Sequence, residues 1–217
     1  MAHILDPEQS VLRYTLTERI VHWIAALTYI YLLLTGLAFY APVLWWLAGF
    51  LGGGPTIRYW HPVAGLAFSA TVVWMWMKWG RDMNITDVDH RWNRAVLQYI
   101  RNEDEHLPPA GRFNTGQKHF FWTMFLGGLA LLLSGVVLWY TEYLPWSVRW
   151  LRYGAVLVHV VAFLCTVAGF IVHVYMGTAV VRGGFGSVIR GEVSKTWARI
   201  HHPLWLEQVT KARAEGK

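Results

Sequence analysis

Four stretches of this chain are long and apolar enough to call for a solvent other than water. They run approximately from Ile20 to Tyr40, Tyr59 to Trp79, His119 to Tyr140 and Tyr153 to Val181. A hydrocarbon core asks for roughly 20 such residues per helix. Lipid offers no hydrogen bonds, so a crossing segment must satisfy its own backbone, which a helix does and an open sheet edge does not. The expected fold class is all-α integral membrane, a four-transmembrane-helix bundle. Composition points the same way: 55% of the 217 residues are hydrophobic and 14 are Trp, too apolar for a domain whose polar residues must cover its surface.

The links carry the orientation. Gly52-Gly53-Gly54-Pro55 joins the first two stretches and is too short for a domain. TEYLPWSVRW joins the last two, and its Pro145 and aromatics suit a turn at a membrane interface. The middle link, residues 80 to 118, is long and charged, and is expected to hold a short helix around Arg91 to Arg101. Of the 19 Lys and Arg, all but Arg58, Arg149 and Arg152 fall in the N-terminal segment, the stretch from Lys78 to Lys118 or the tail. By the positive-inside rule both termini and the middle link are expected on the cytoplasmic side. Residues 1–181 read as the membrane domain. Residues 182–217 read as a tail of one or two amphipathic helices docked on the bundle or on a partner. The net charge of +6 lies in loops flanking apolar runs and not in one basic stripe, which argues against nucleic acid as a partner. No internal repeat is visible, and the polar first twenty residues carry no apolar leader, so no cleaved signal is expected.

Within this topology four histidines fall at two depths. His22 enters near the cytoplasmic face, while His61, at the start of the second stretch, lies near the outer face. His159 and His173 share the fourth stretch, fourteen residues apart, which is roughly 21 Å of helix at about 40° short of four full turns. Both imidazoles thus leave that helix on nearly one face. His22 can meet His173 at the inner level, and His61 can meet His159 at the outer level. A lone histidine in a membrane helix is often a hydrogen-bonded packing residue. Four in two level-matched pairs ask for a shared reason, since each unsatisfied polar group would cost several kcal/mol, roughly 2 to 7. Paired axial ligation of two hemes supplies one, and an iron held by two histidines favours electron transfer over oxygen chemistry. The single cysteine, Cys165, excludes disulfides, cysteine-ligated iron–sulfur clusters and covalent C-x-x-C-H heme. Gly36, Gly65, Gly135 and Gly169 lie near these histidines and would leave room for a flat macrocycle or for close helix packing. Pro62 is compatible with a helix start at His61. His3, His90, His106, His201 and His202 read as solvated. His119 stands at the inner end of the third stretch, where it could approach a ligand near His173.

With the ligands placed, local strings acquire a likeness. RYTLTERIVHW, WHPVAG, GRFNTGQK, LVHV, HVYMG and GEVSKTWARIHHPLW resemble the gamma, or cytochrome b, subunit of membrane-bound respiratory formate dehydrogenases over nearly the whole chain. The arginine and His-Trp pattern alone is shared with the cytochrome b subunits of nickel–iron hydrogenases. The resemblance implies two b-type hemes, with His22 and His173 ligating the cytoplasmic-side iron and His61 and His159 the outer one. It also implies a quinone site, for menaquinone or ubiquinone, at Asn114, Gly116 and Gln117 with His173 adjoining. The expected partners are an iron–sulfur (beta) subunit with its own membrane helix and a molybdenum- or tungsten-containing catalytic (alpha) subunit, arranged in a trimer of heterotrimers within membrane lipid of the bacterial inner membrane. Two alternatives remain open at this point: the same relay serving a hydrogenase or another periplasmic oxidoreductase, and a heme-free membrane anchor or transporter.

Overall fold

A computed structural model of the chain describes residues 9–101 and 107–216. Four long helices dominate it: α1 (Leu16–Tyr40), α3 (Gly54–Trp79), α6 (Thr115–Trp139) and α7 (Arg149–Tyr175). Short elements fill the links: α2 (Trp46–Phe50), then α4 (Asp87–Arg94) and α5 (Val96–Ile100) where one short helix was expected. α7 runs on into a single π-helical turn, Met176–Val180. The tail forms α8 (Phe185–Arg190), α9 (Lys195–His201) and α10 (Pro203–Ala214).

Each long helix begins four or five residues before the expected apolar stretch. The cause at α1 and α6 is capping, which hydropathy does not register. Thr15 donates its backbone N–H to the Glu18 carboxylate (2.9 Å), while the Glu18 N–H reaches back to the Thr15 hydroxyl (3.3 Å). Asn114 and Gln117 make the same reciprocal pair at α6 (3.0 and 2.9 Å), and Thr86 with Asp89 does so at α4. At α3 the early start corrects the reading of Pro62. It sits inside the helix and not at its first turn, so its missing N–H leaves the Arg58 carbonyl without the usual helical donor.

Among the described residues, three segments are long and apolar enough to cross a membrane: Leu16–Tyr40, Thr115–Trp139 and Trp146–Val180. α3 matches them in length with 26 residues, but carries Arg58, His61 and Pro62 in its N-terminal half.

The chain divides into two units. One comprises Ile20–Lys78 and Trp122–Phe170, the larger part of the four long helices. Its aromatic centre is Tyr29, packed between Phe68 (ring centroids 5.4 Å) and Phe170 (5.0 Å). Close approach there depends on glycine: a Cβ on Gly127 would stand 2.5 Å from the γ-methyl of the fully buried Thr166. Gly36 faces the Phe163 ring, where a Cβ would come within 3.2 Å, so the space beside it is used for helix packing. The turn into α3 needs positive φ at Gly52 and Gly53 (92° and 90°), which glycine adopts without a side-chain clash. Outward-facing Leu27, Leu133 and Leu157 remain exposed, as suits a hydrocarbon surround.

The other unit comprises residues 1–19, 79–121 and 171–217. Here the helices are joined by one short ladder that the sequence does not announce. Ser10–Leu12 (β1) and Glu192–Ser194 (β2) form a two-stranded antiparallel ladder, with Val11 opposite Val193. The ladder packs with Ala198 and Trp205 in a small core. Gly191 (φ 91°) closes it, its carbonyl accepting from the N–H groups of Arg13 (2.7 Å) and Tyr14 (3.0 Å).

Arg13 is buried beside this ladder, its guanidinium 4.5 Å from the Trp205 ring centroid and donating to the Arg112 carbonyl. His202 is also buried, which overturns its reading as solvated. Its Nδ1 donates to the Gly111 carbonyl (2.8 Å) and its Nε2 faces Arg13 (3.4 Å). Burial, with the Arg13 charge adding, pushes this imidazole well below its ordinary range. Glu18 completes the knot, accepting from Arg112 (2.7 Å) and from the Trp79 indole (2.8 Å). Strings widely separated in sequence are thereby tied together.

Candidate functional site

Two of the four candidate histidines meet within the span unit. His61 on α3 and His159 on α7 stand with ring centroids 6.4 Å apart and ring planes inclined by 51°. Each is half-buried, and each has its Nδ1 held by a hydroxyl from the preceding long helix. Thr35 Oγ1 lies 2.6 Å from His61 Nδ1, and Ser134 Oγ lies 2.9 Å from His159 Nδ1.

The hydrogen-bond geometry suits one tautomer of each ring. Thr35 donates its hydroxyl hydrogen to the Tyr31 carbonyl (2.8 Å), and Ser134 donates to the Ala130 carbonyl (2.6 Å). A hydroxyl has one hydrogen and two lone pairs. With those hydrogens on the carbonyls, both oxygens accept from the imidazoles, the arrangement that puts a hydrogen on each Nδ1 and a lone pair on each Nε2. Those lone pairs are what a metal ion needs.

The spacing also fits. Two imidazoles ligating one ion from opposite sides, each at about 2 Å, stand with ring centroids roughly 6 to 6.5 Å apart. Gly135 lies against His159, where a Cβ would come within 3.4 Å of Cε1, so the adjacent position is kept small. Phe39 meets His61 edge-on at 5.5 Å.

Thr35 and Ser134 were not singled out from the sequence. The available signal is positional: each lies twenty residues after the cap of its helix, Thr15 and Asn114, and 26 or 25 residues before its histidine. The two hairpins are thus built on matching offsets, where no internal repeat was visible.

The other candidates are placed as follows. His22 is half-buried in the span unit and meets Trp23 edge-on. His173, in the other unit, lies flat on Phe120, with centroids 4.2 Å apart and planes within 2°. His119 is exposed, its Nε2 3.2 Å from Asn93 Oδ1. Asn114 and Gln117 spend hydrogen-bonding groups on the α6 cap, and Asn114 also donates to the Tyr99 hydroxyl (3.3 Å). A cavity of about 460 Å³ opens beside them, lined by Trp92, Tyr99, Pro108, Asn114 and His201 among others. Gly116 and Gln117 are outside its lining. The buried Asp89, on α4, accepts from Lys118 (2.7 Å), Thr115 (2.7 Å) and Thr86 (2.8 Å). Burial alone would raise this carboxyl, but those hydrogen bonds hold it down at about 2.

A sequence profile of the prokaryotic cytochrome b561 family matches residues 13–190, a segment that includes all four candidate ligands. The chain belongs to that family. Its curated relatives are similar along nearly their whole length. It is 28% identical over 215 residues to the cytochrome b556(Fdn) subunit of the nitrate-inducible formate dehydrogenase of Escherichia coli strain K12, covering 97% of each chain. It is 32% identical over 203 residues to the cytochrome b556(fdo) subunit of another formate dehydrogenase of that strain, covering 93% of this chain and 94% of the relative. With the cytochrome b556 subunit of Haemophilus influenzae formate dehydrogenase the identity is 31% over 216 residues, covering 97% and 88%. A cytochrome b561-family chain implies a b-type heme, and the His61–His159 pair, with both Nε2 lone pairs available, has the donor set and spacing to hold one.

Proposed function

We propose that this chain is the diheme cytochrome b subunit of a membrane-bound formate dehydrogenase, passing electrons from an iron–sulfur partner to quinone near the cytoplasmic face. The observation that carries the reading is the His61–His159 pair: two imidazoles at ligating separation, each with its Nδ1 against a hydroxyl, which leaves Nε2 as the nitrogen to ligate. The end-to-end similarity to three formate dehydrogenase cytochrome b556 subunits supports the choice of complex. Formate oxidation itself belongs to a molybdenum- or tungsten-containing partner.

In this reading His61 and His159 hold the outer heme, and His22 and His173 the inner one. When bound, the hemes supply one-electron carriers between the two faces of the membrane. The residues of this chain hold and orient them, keep their environment apolar and form the quinone site. Asn114, Gly116, Gln117 and His173 line that site; the free carboxamide N–H groups of Gln117 offer donors to a quinone carbonyl, and the glycine permits close backbone approach. Four helices cross the bilayer, with α3 as the fourth. The N-terminal segment, middle link and tail face the cytoplasm, a placement supported by their gathering in one unit that holds all of the Lys and Arg except Arg58, Lys78, Arg149 and Arg152.

The test is to purify the complex from membranes, identify the copurifying chains and measure heme per copy by pyridine haemochrome. Two hemes per chain, with formate-dependent quinone reduction, are expected. Near-zero heme would refute the relay. A hydrogenase large subunit in place of a formate dehydrogenase would move the same relay to another donor. His61→Ala or His159→Ala is expected to remove the outer heme alone, and His22→Ala or His173→Ala the inner heme together with quinone reduction.

A further inference from the structure

The hydroxyls of Thr35 and Ser134 stand on the side of each imidazole away from its free Nε2. Both are buried, on different helices, and both stand within donating distance of a carbonyl one turn back. Threonine and serine in apolar helices ordinarily back-bond in this way and do nothing further. Here the second lone-pair direction of each oxygen is aimed at a histidine Nδ1, at 2.6 and 2.9 Å. Two independent helices supply the same device to the two members of one pair.

We infer that Thr35 and Ser134 are positioning residues of the outer heme, accepting Nδ1–H from His61 and His159 so as to lock ring orientation and tautomer and to set that heme's reduction potential. The inference rests on the reading of His61 and His159 as iron ligands. Second-shell acceptors of this kind make imidazole a stronger donor, and their loss ordinarily weakens ligation about 10- to 100-fold. A more electron-rich imidazole favours ferric over ferrous iron. Removing the acceptor therefore destabilises the oxidised state more than the reduced one, and the outer heme becomes easier to reduce. The acceptors are hydroxyls and not carboxylates, so the donation they enforce is modest and the outer pair is tuned without adding a charge to the membrane interior.

The test uses the intact complex purified from membranes, with Thr35→Val and Ser134→Ala removing the acceptors and Thr35→Ser restoring one. Redox titration of each heme and the low-temperature electron paramagnetic resonance of its ferric form are the readouts. Thr35→Val and Ser134→Ala are each expected to raise the outer heme's potential and shift its ferric signal, leaving the inner heme unchanged. Each tenfold preferential loss of ferric affinity corresponds to about 59 mV. Selective loss of the outer heme in Thr35→Val, with full occupancy in Thr35→Ser, also supports the role. Unchanged potentials and ferric signals in Thr35→Val and Ser134→Ala at full occupancy would overturn it. The ligand reading fails separately, on both hemes being retained in His61→Ala, whatever the hydroxyl variants do.

Discussion

Replacing Asp89 by Asn should be among the most destabilising single changes in the unit that holds the tail. Asp89 and Lys118 are both buried and 2.7 Å apart, and the lysine's other contact is the Asn84 carbonyl (2.9 Å). The asparagine would leave an ammonium in a low-dielectric site without its counter-charge, which costs about 3 to 5 kcal/mol. The proton gives an independent measure. The Asp89 carboxyl is held at about 2 against roughly 3.9 in an unfolded chain, a difference of about 2.6 kcal/mol in favour of the ionised folded form. Because the folded value is depressed, that contribution is complete above about pH 4 and lost as the pH falls towards 2. Hydrogen exchange of the α4 and first-turn α6 amides in the detergent-solubilised complex would read the local opening. Asp89→Asn should accelerate it about 100-fold or more, and Asp89→Asn with Lys118→Met should recover most of the loss, since removing both charges leaves none stranded. Exchange unchanged in Asp89→Asn, or a double variant as impaired as the two singles combined, would refute the argument.

Gly127→Ala would drive a methyl to 2.5 Å from the Thr166 γ-methyl; the expected cost is about 1 to 3 kcal/mol in thermal unfolding. Thr166→Ser in the same chain should restore stability by clearing that methyl and keeping the hydroxyl. His202 is neutral in the folded chain because burial, and then Arg13, depress its basicity. Its contribution is therefore fully present above about pH 6.5 and declines as the pH falls below it. Protection factors of the β1 and β2 amides, with the intrinsic pH dependence of exchange divided out, should fall between pH 7 and 5, and His202→Asn, which keeps a donor for the Gly111 carbonyl, should flatten that response. Phe120→Leu removes the flat partner of His173; on the proposal that His173 ligates an inner heme, it is expected to alter that heme's ferric signal alone, with Phe120→Tyr retaining it.

The features legible in the sequence were those with a long periodic signature. The helical stretches announce themselves by length and hydropathy, and the histidines by being polar where polarity is costly. The meeting of His61 and His159 agrees with the common level that hydropathy predicts for them. What escaped notice depends on short or distant partners. The strand Ser10–Leu12 is three residues long and meets its mate 182 residues later, too brief for alternation to register. His202 is buried by a carbonyl and a guanidinium from remote segments, so its immediate neighbours gave no reason to think it covered. The Thr15 and Asn114 caps lie just outside the apolar windows, and Thr86 caps a polar helix that has none. Thr35 and Ser134 resemble any back-bonding hydroxyl until their second lone pair is seen. Pro62 departs from the expected helix start because the helix reaches eight residues further back than the proline itself.

The matched offset from cap to hydroxyl makes α1 and α6 act as rulers. Twenty residues of helix measure about 30 Å, and adding or deleting one residue along that length would swing the hydroxyl by about 100° around the axis. Point substitutions on the outward side leave the mark on the ruler where it is, whereas a single-codon insertion anywhere between Thr15 and Thr35, or between Asn114 and Ser134, carries it away from its histidine. Tolerance in these two segments should thus be broad for side-chain identity and close to nil for length.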